Sequence, residues 1–163
     1  MYYLDEKEKH KHYMREAIKI AKKGIKNGQA PFGACIVKNN KILACEHNLV
    51  WKNKDPTMHA EVNTIRRACK KLRTIDLSGC ILYTTTEPCP MCFSAAHWAK
   101  IDLIIYGASI NDAEKAGFSE LTISNKEMKA LGKSKIKIKN GILKKECKEL
   151  FKIWEEAGKS KTY

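Results

Sequence analysis

Pro88-Cys89-Pro90-Met91-Cys92, with His59-Ala60-Glu61 beginning 30 residues ahead of the first cysteine, constrains this chain more than any other feature. Cysteines three apart are neighbours on a helix, and proline is well tolerated in a first turn, so a helix is predicted over Pro90–Ala99 with both thiols at its start. A second helix is predicted from His59 to about Leu72, where Val62, Ile65, Ala68, Cys69 and Leu72 keep one face apolar. His59 and Glu61 are about 200° apart round that helix and share no lateral face, yet both can reach a metal lying beyond its end. Two helix starts thus supply three metal ligands, His59, Cys89 and Cys92, and one acid, Glu61.

Two thiolates, a neutral imidazole and Zn²⁺ sum to zero charge, and a helix N-terminus with a nearby cation favours the thiolates. Three protein ligands leave a fourth tetrahedral position for water, the pattern of a catalytic zinc, one per chain. A purely structural site needs a fourth ligand, for which His97 is the nearby candidate. Zinc lowers the pKa of a bound water from 15.7 towards about 7, which gives Glu61 work as a proton shuttle.

The remaining pattern reads as a single α/β domain over residues 1–163. Tyr13, Met14, Ala17, Ile18, Ala21 and Ile25 mark an amphipathic helix over about Leu4–Lys26, stopped by Gly28. Gly33–Val37 and Ile42–Cys45, joined through Asn39-Asn40, read as a β-hairpin. Strands are predicted at Cys80–Thr84, Leu103–Tyr106 and Ile136–Ile138, and a last helix follows from Leu143, Cys147, Leu150, Phe151 and Trp154 to about Gly158. Helices alternating with strands in the second half imply parallel pairing there, and the hairpin is antiparallel. The expectation is a three-layer α/β/α fold around a mixed five-stranded sheet.

Charge and cysteines narrow the setting. The 31 basic against 18 acidic residues give a formal charge of +13, which invites an anionic partner. Only four of the 31 are arginine, the better tool for phosphate recognition, and the lysines spread along the whole chain. Seven cysteines at irregular spacing suggest free thiols in a reducing compartment, with Cys35, Cys45, Cys69, Cys80 and Cys147 acting as small apolar residues. No run approaches the roughly 18 apolar residues of a membrane span, and Met1–Lys11 lacks a signal peptide's apolar core. A cytoplasmic protein is expected.

The His-x-Glu and Pro-Cys-x-x-Cys pair is an established signature of zinc-dependent nucleobase deaminases, not a derivation from these spacings. From Tyr13 to Tyr163 the chain resembles the cytidine-deaminase-like superfamily. That resemblance also covers Asn48 and Asp55-Pro56-Thr57-Met58, while Pro31-Phe32-Gly33-Ala34, the proline between the cysteines and Ala116-Gly117-Phe118 make the chain most similar to guanine deaminases. The tRNA adenosine deaminases stand second; under that alternative the partner is nucleic acid. The resemblance implies a small purine base as substrate, a homodimer and no membrane partner. It implies that Asn48 hydrogen-bonds the base, that Phe32 packs on it, and that the Ala60 amide holds a ring acceptor. Glu120 is implied as a second catalytic acid, its carboxylate suited to the N–H donors of guanine's Watson–Crick edge. The tail, about 157–163, is implied to cross to a second subunit, where Tyr163, anchored through Trp154, closes the partner's site; Gly141-Ile142-Leu143 and the helix after them also resemble the unswapped end of tRNA deaminases, so that alternative stays open. For each of Asn48, Phe32 and Glu120 a bland role stays open: turn former, core residue and solvated loop acid.

Overall fold

The computed structural model describes residues 5–158 and 161–163; Leu4, Lys159 and Ser160, which the expectations above include, lie outside the described residues. The chain runs α1 (Glu6–Lys26), β1 (Gly33–Lys38), β2 (Lys41–His47), α2 (Val50–Asn53), α3 (Ala60–Leu72) and β3 (Cys80–Thr86). It continues through α4 (Pro90–Trp98), β4 (Leu103–Ala108), α5 (Ile110–Lys115), α6 (Asn125–Gly132), β5 (Lys137–Lys139) and α7 (Lys144–Glu156). The sheet has five strands in the order β2-β1-β3-β4-β5, with β1 antiparallel to both β2 and β3 and the β3-β4-β5 side parallel. The three-layer mixed-sheet expectation therefore holds.

Local chemistry explains the elements. The apolar stripe of α1, Tyr13, Met14, Ala17, Ile18, Ala21 and Ile25, is buried against the sheet. Gly28 follows with φ +75, where a side chain would be strained. Asn39 and Asn40 both take left-handed φ, 50 and 60, the two-residue turn whose twist matches antiparallel strands. α1 and α7 pack together on one face of the sheet, while α3, α4 and α6 build the other.

The hairpin also corrects the reading of the cysteines. Cys35 and Cys45 are joined as a disulfide, with Cα atoms 4.1 Å apart. A register shift after Ile36/Val37 skips Leu43, so Cys35 faces Cys45 where an unbroken ladder from Lys38↔Lys41 would have put Ala44. Cys69, Cys80 and Cys147 are free, as expected, but the cysteines no longer speak for a reducing compartment. Among the described residues no helix is long and apolar enough to cross a membrane.

Gly33 sets how closely α1 can approach β1. A Cβ there would lie 2.2 Å from the Ala17 carbonyl oxygen and 2.8 Å from the Ala21 nitrogen, both main-chain atoms that no rotamer can move. Gly33→Ala is expected to push the helix off the strand and cost about 1–3 kcal/mol. For a chain of this size that lowers Tm by about 3–10 °C, checked by thermal unfolding; an unchanged Tm would refute this packing.

Candidate active site

The site forms where two helices begin. His59 is the N-cap of α3 and Cys89 the N-cap of α4, both extended (ψ 155 and 167), with Pro90 in the first turn of α4. Neither side chain makes a capping hydrogen bond to its helix, and the two face each other. The His59 Nδ1 atom lies 3.6 Å from the Cys89 Sγ and 3.6 Å from the Cys92 Sγ. A tetrahedral zinc with Zn–S about 2.3 Å and Zn–N about 2.0–2.1 Å places nitrogen and sulfur about 3.6 Å apart, so the trio fits that metal. All three ligand atoms lie within 4.8 Å of one another, and this is a zinc site. The alternative fourth ligand is elsewhere: the His97 ring bonds the Ser134 hydroxyl at 3.0 Å.

The thiols are already unequal. A hydrogen bond from the Cys92 thiol, with help from His59, lowers the Cys89 pKa to about 4, while the same bond and burial raise that of Cys92. Glu61, in the first turn of α3, is buried, and desolvation pushes its pKa up against the opposing pull of His59. The Thr84 hydroxyl on β3 lies 2.9 Å from Glu61 Oε1, and Oε2 lies 3.5 Å from the Cys92 sulfur. A carboxyl with a raised pKa, one oxygen held and the other turned to the metal position, suits proton transfer near neutral pH. Ala60, fully buried, is the first residue of α3, so its N–H has no partner within the helix.

The residues carried by resemblance fall into two groups. Asn48 is fully buried; its Oδ1 accepts from the Val50 N–H at 3.1 Å, the turn-forming role, while its Nδ2 donates to the Tyr163 hydroxyl at 2.5 Å. Glu120 keeps a buried Oε2 with no hydrogen-bond partner, and its pKa is pushed up to about 8 by burial and by facing Cys89 and Glu61. Phe32 sits a layer back, buried with its ring 4.8 Å from that of Phe118 and 6.0 Å from Phe151, which is the core role.

Tyr163 covers the trio from within its own chain. Its ring centroid is 5.7 Å from His59, 5.7 Å from Phe118 and 6.0 Å from Trp51. The Ser119 N–H donates to its main-chain oxygen at 3.3 Å, and the Trp51 indole donates to the Lys161 carbonyl at 3.1 Å. Within this one chain the tail reaches the trio without a second subunit. Trp154 does anchor the region, packing on Phe118 with centroids 5.0 Å apart.

Sequence reasoning missed Thr84, Trp51 and Asn63, whose amide donates to the carbonyls of His47 and Met58 and so ties the loop before His59 to β2. None of the three stands in a spacing that signals chemistry.

Residues 7–108 match the family model described as the cytidine and deoxycytidylate deaminase zinc-binding region. The chain is 46% identical to the guanine deaminase of Bacillus subtilis (strain 168) over 112 residues, 68% of this chain and 72% of that protein. It is 37% identical to the tRNA-specific adenosine deaminase of the same organism over 135 residues, 83% of this chain and 81% of that protein. A solved guanine deaminase from Nitrosomonas europaea superposes with a TM-score of 0.83 at 26% identity, covering 90% of this chain and 84% of that one. A tRNA deaminase studied for A-to-I editing at the wobble position superposes with a TM-score of 0.75 at 28% identity, covering 85% and 98%.

Glu120 offers a check on the buried acids. Because its folded pKa, about 8, lies above the ordinary 4.5, its contribution to stability is complete below pH 4.5 and is lost as pH rises through 8. In metal-free protein, Glu120→Gln is expected to raise Tm relative to the parent by more at pH 8.5 than at pH 5. An equal difference at both values would remove Glu120 from the buried cluster.

Proposed function

We propose a substrate from one premise, that this chain belongs to the cytidine and deoxycytidylate deaminase family: it is a zinc-dependent deaminase, and its substrate is free guanine, converted to xanthine and ammonia. The observation that carries this reading is the tail. Tyr163 lies between Asn48 and the His59 ring, so the trio is roofed by its own chain. A roofed site suits a molecule the size of a free base, whereas an anticodon loop needs the roof removed. Glu120 adds to this, because its unpartnered oxygen can accept an N–H from guanine.

The zinc held by His59, Cys89 and Cys92 supplies the acidity that lets water give up a proton near neutral pH. Glu61, with Oε1 held by Thr84, takes that proton on Oε2 and passes it to a ring nitrogen. The C2–O bond forms, the C2–N bond breaks, and the second water proton leaves with the amine as ammonia. Asn48 and the Ala60 N–H orient the base, and Tyr163 excludes bulk water. A second reading, editing of a tRNA adenosine, is favoured by the +13 charge and by the tRNA-specific relative, which matches more of the chain.

Ammonia release from guanine, guanosine, cytosine, an aminotriazine and tRNA separates the readings. Guanine alone among them is expected to give rapid release with xanthine as product; inosine in tRNA with no ammonia from guanine would overturn the proposal. Glu61→Gln is expected to keep one zinc per chain and lose at least about 10²-fold in kcat, because only proton transfer is removed. Removing residues 161–163 is expected to leave Tm nearly unchanged and lower kcat/KM strongly. For a roof closed in cis, mixing that truncated chain with Glu61→Gln protein is expected to recover no activity; recovery would establish exchange between subunits.

A further inference from the structure

Beside the zinc ligands stands a buried carboxylate that neither the metal nor the proton transfer uses. Glu87 immediately precedes Pro88-Cys89, is 6% exposed, and accepts two main-chain hydrogen bonds: Oε2 from the Ile110 N–H at 3.1 Å and Oε1 from the Asn125 N–H at 2.9 Å. Ile110 and Asn125 are the first residues of α5 and α6, so one side chain receives an otherwise unpartnered amide from each of two helix starts. Asn125 returns the bond, its Nδ2 donating to the Pro88 carbonyl at 2.6 Å. The main chain of Glu87 is fixed too, its N–H donating to the Ala108 carbonyl at 2.8 Å.

What lies between the two bonds is the segment that faces the site. Residues 116–124 connect α5 to α6 and carry Phe118, which meets the rings of Phe32, Trp154 and Tyr163, and Glu120, which faces Cys89 and Glu61. Both helices have their own capping boxes, Ser109 with Asp112 and Ser124 with Glu127. Glu87 is therefore not needed to begin either helix; its two bonds instead tie both starts to the residue leading into Cys89.

We propose that Glu87 is a positioning residue that sets the distance between the zinc ligands and the 116–124 segment, and that it acts on the reaction through Glu120. Its carboxylate spans two amides of fixed separation, so the segment can shift relative to the metal only by breaking a buried hydrogen bond. Such a bond is expensive to leave unmade in the interior. A misplacement of about 1 Å at reacting groups is enough to cost about 10²-fold in rate. Glu87→Gln keeps the shape but turns one acceptor oxygen into an NH₂ group facing a main-chain N–H, releasing one end of the clamp while sparing the metal.

The role of Glu120 belongs to the guanine reading, so the test has two arms that fail separately. The first measures amide hydrogen exchange in Glu87→Gln with one zinc per chain confirmed. Exchange over 116–124 is expected to rise at least about tenfold while that of β3 and α3 is unchanged; unchanged exchange over 116–124 overturns the clamp whatever the substrate. The second is a double-mutant cycle on kcat/KM with whichever substrate releases ammonia. Glu87→Gln is expected to lose about 10²-fold alone and less than about threefold in the Glu120→Gln background, since its target is already gone. The same loss in both backgrounds shows a merely structural role and overturns action through Glu120. If Glu120→Gln by itself changes nothing, the substrate role of Glu120 falls and the exchange arm still judges the clamp. If Glu87→Gln does not fold, Asn125→Ala, which deletes the reciprocal bond to Pro88, is expected to give the same local rise in exchange, and its failure to do so overturns the proposal.

Discussion

The approach of two helix N-termini to one point governs this structure. His59 and Cys89 begin α3 and α4, and the separation of 3.6 Å between nitrogen and sulfur exists only because both helices start at the same end of the sheet. That end is fixed by strand pairing. β1 runs antiparallel to β3, so the loop entering β1 lies beside the end of β3 that leads into Pro88 and Cys89. The Gly33 N–H donates to the Thr85 hydroxyl at 3.2 Å and sews the two together. The positive ends of two helix dipoles meet there and favour the Cys89 thiolate, while burial and the bond to Cys89 keep the Cys92 thiol protonated until a metal displaces its proton.

Around that point two buried glutamates and the half-buried Glu120 are satisfied to different degrees, and the differences track what each can do. Glu87 has two main-chain N–H partners, one for each oxygen, and is fully used by the framework. Glu61 has one oxygen beside the Thr84 hydroxyl and the other 3.5 Å from a sulfur, so half of it is held and half is available. Glu120 has a buried oxygen with no partner at all. A buried acceptor without a donor is costly unless something arrives to satisfy it, and this one lies in the cluster with Cys89 and Glu61. The series runs from framework through proton transfer to recognition within one small volume.

Much of this was legible in the sequence because it rests on periodicity and on motif chemistry. The stripe from Tyr13 to Ile25 gave α1, Asn39-Asn40 the hairpin turn, and the ligand spacing the metal. What escaped has physical reasons. α2, α5 and α6 span four, six and eight residues, too few turns for a 3.6-residue period to register. Ser109 with Asp112 and Ser124 with Glu127 stand at capping-box spacing and were the available signal for α5 and α6. The Cys35–Cys45 bond was hidden because it depends on a bulge, and a register shift leaves no trace in composition. Thr84 and Glu87 were hidden because their roles depend on partners 23 and 38 residues away, Glu61 and Asn125.

Chain geometry bears on which site the tail can reach. Trp154 and Tyr163 both meet the ring of Phe118, at 5.0 and 5.7 Å between centroids. Nine residues separate them, a length that could span roughly 30 Å if extended. Both ends of that span meet one ring, and Gly158 between them has a φ of +66, which other residues adopt only with strain. With α7 docked on β4 and Trp154 packed on Phe118, Tyr163 is tethered within reach of its own site. A tethered group of this kind competes at a high effective concentration against the same segment of any second chain. With α7 packed on β4, a roof over the zinc trio made by the chain's own end needs no second subunit.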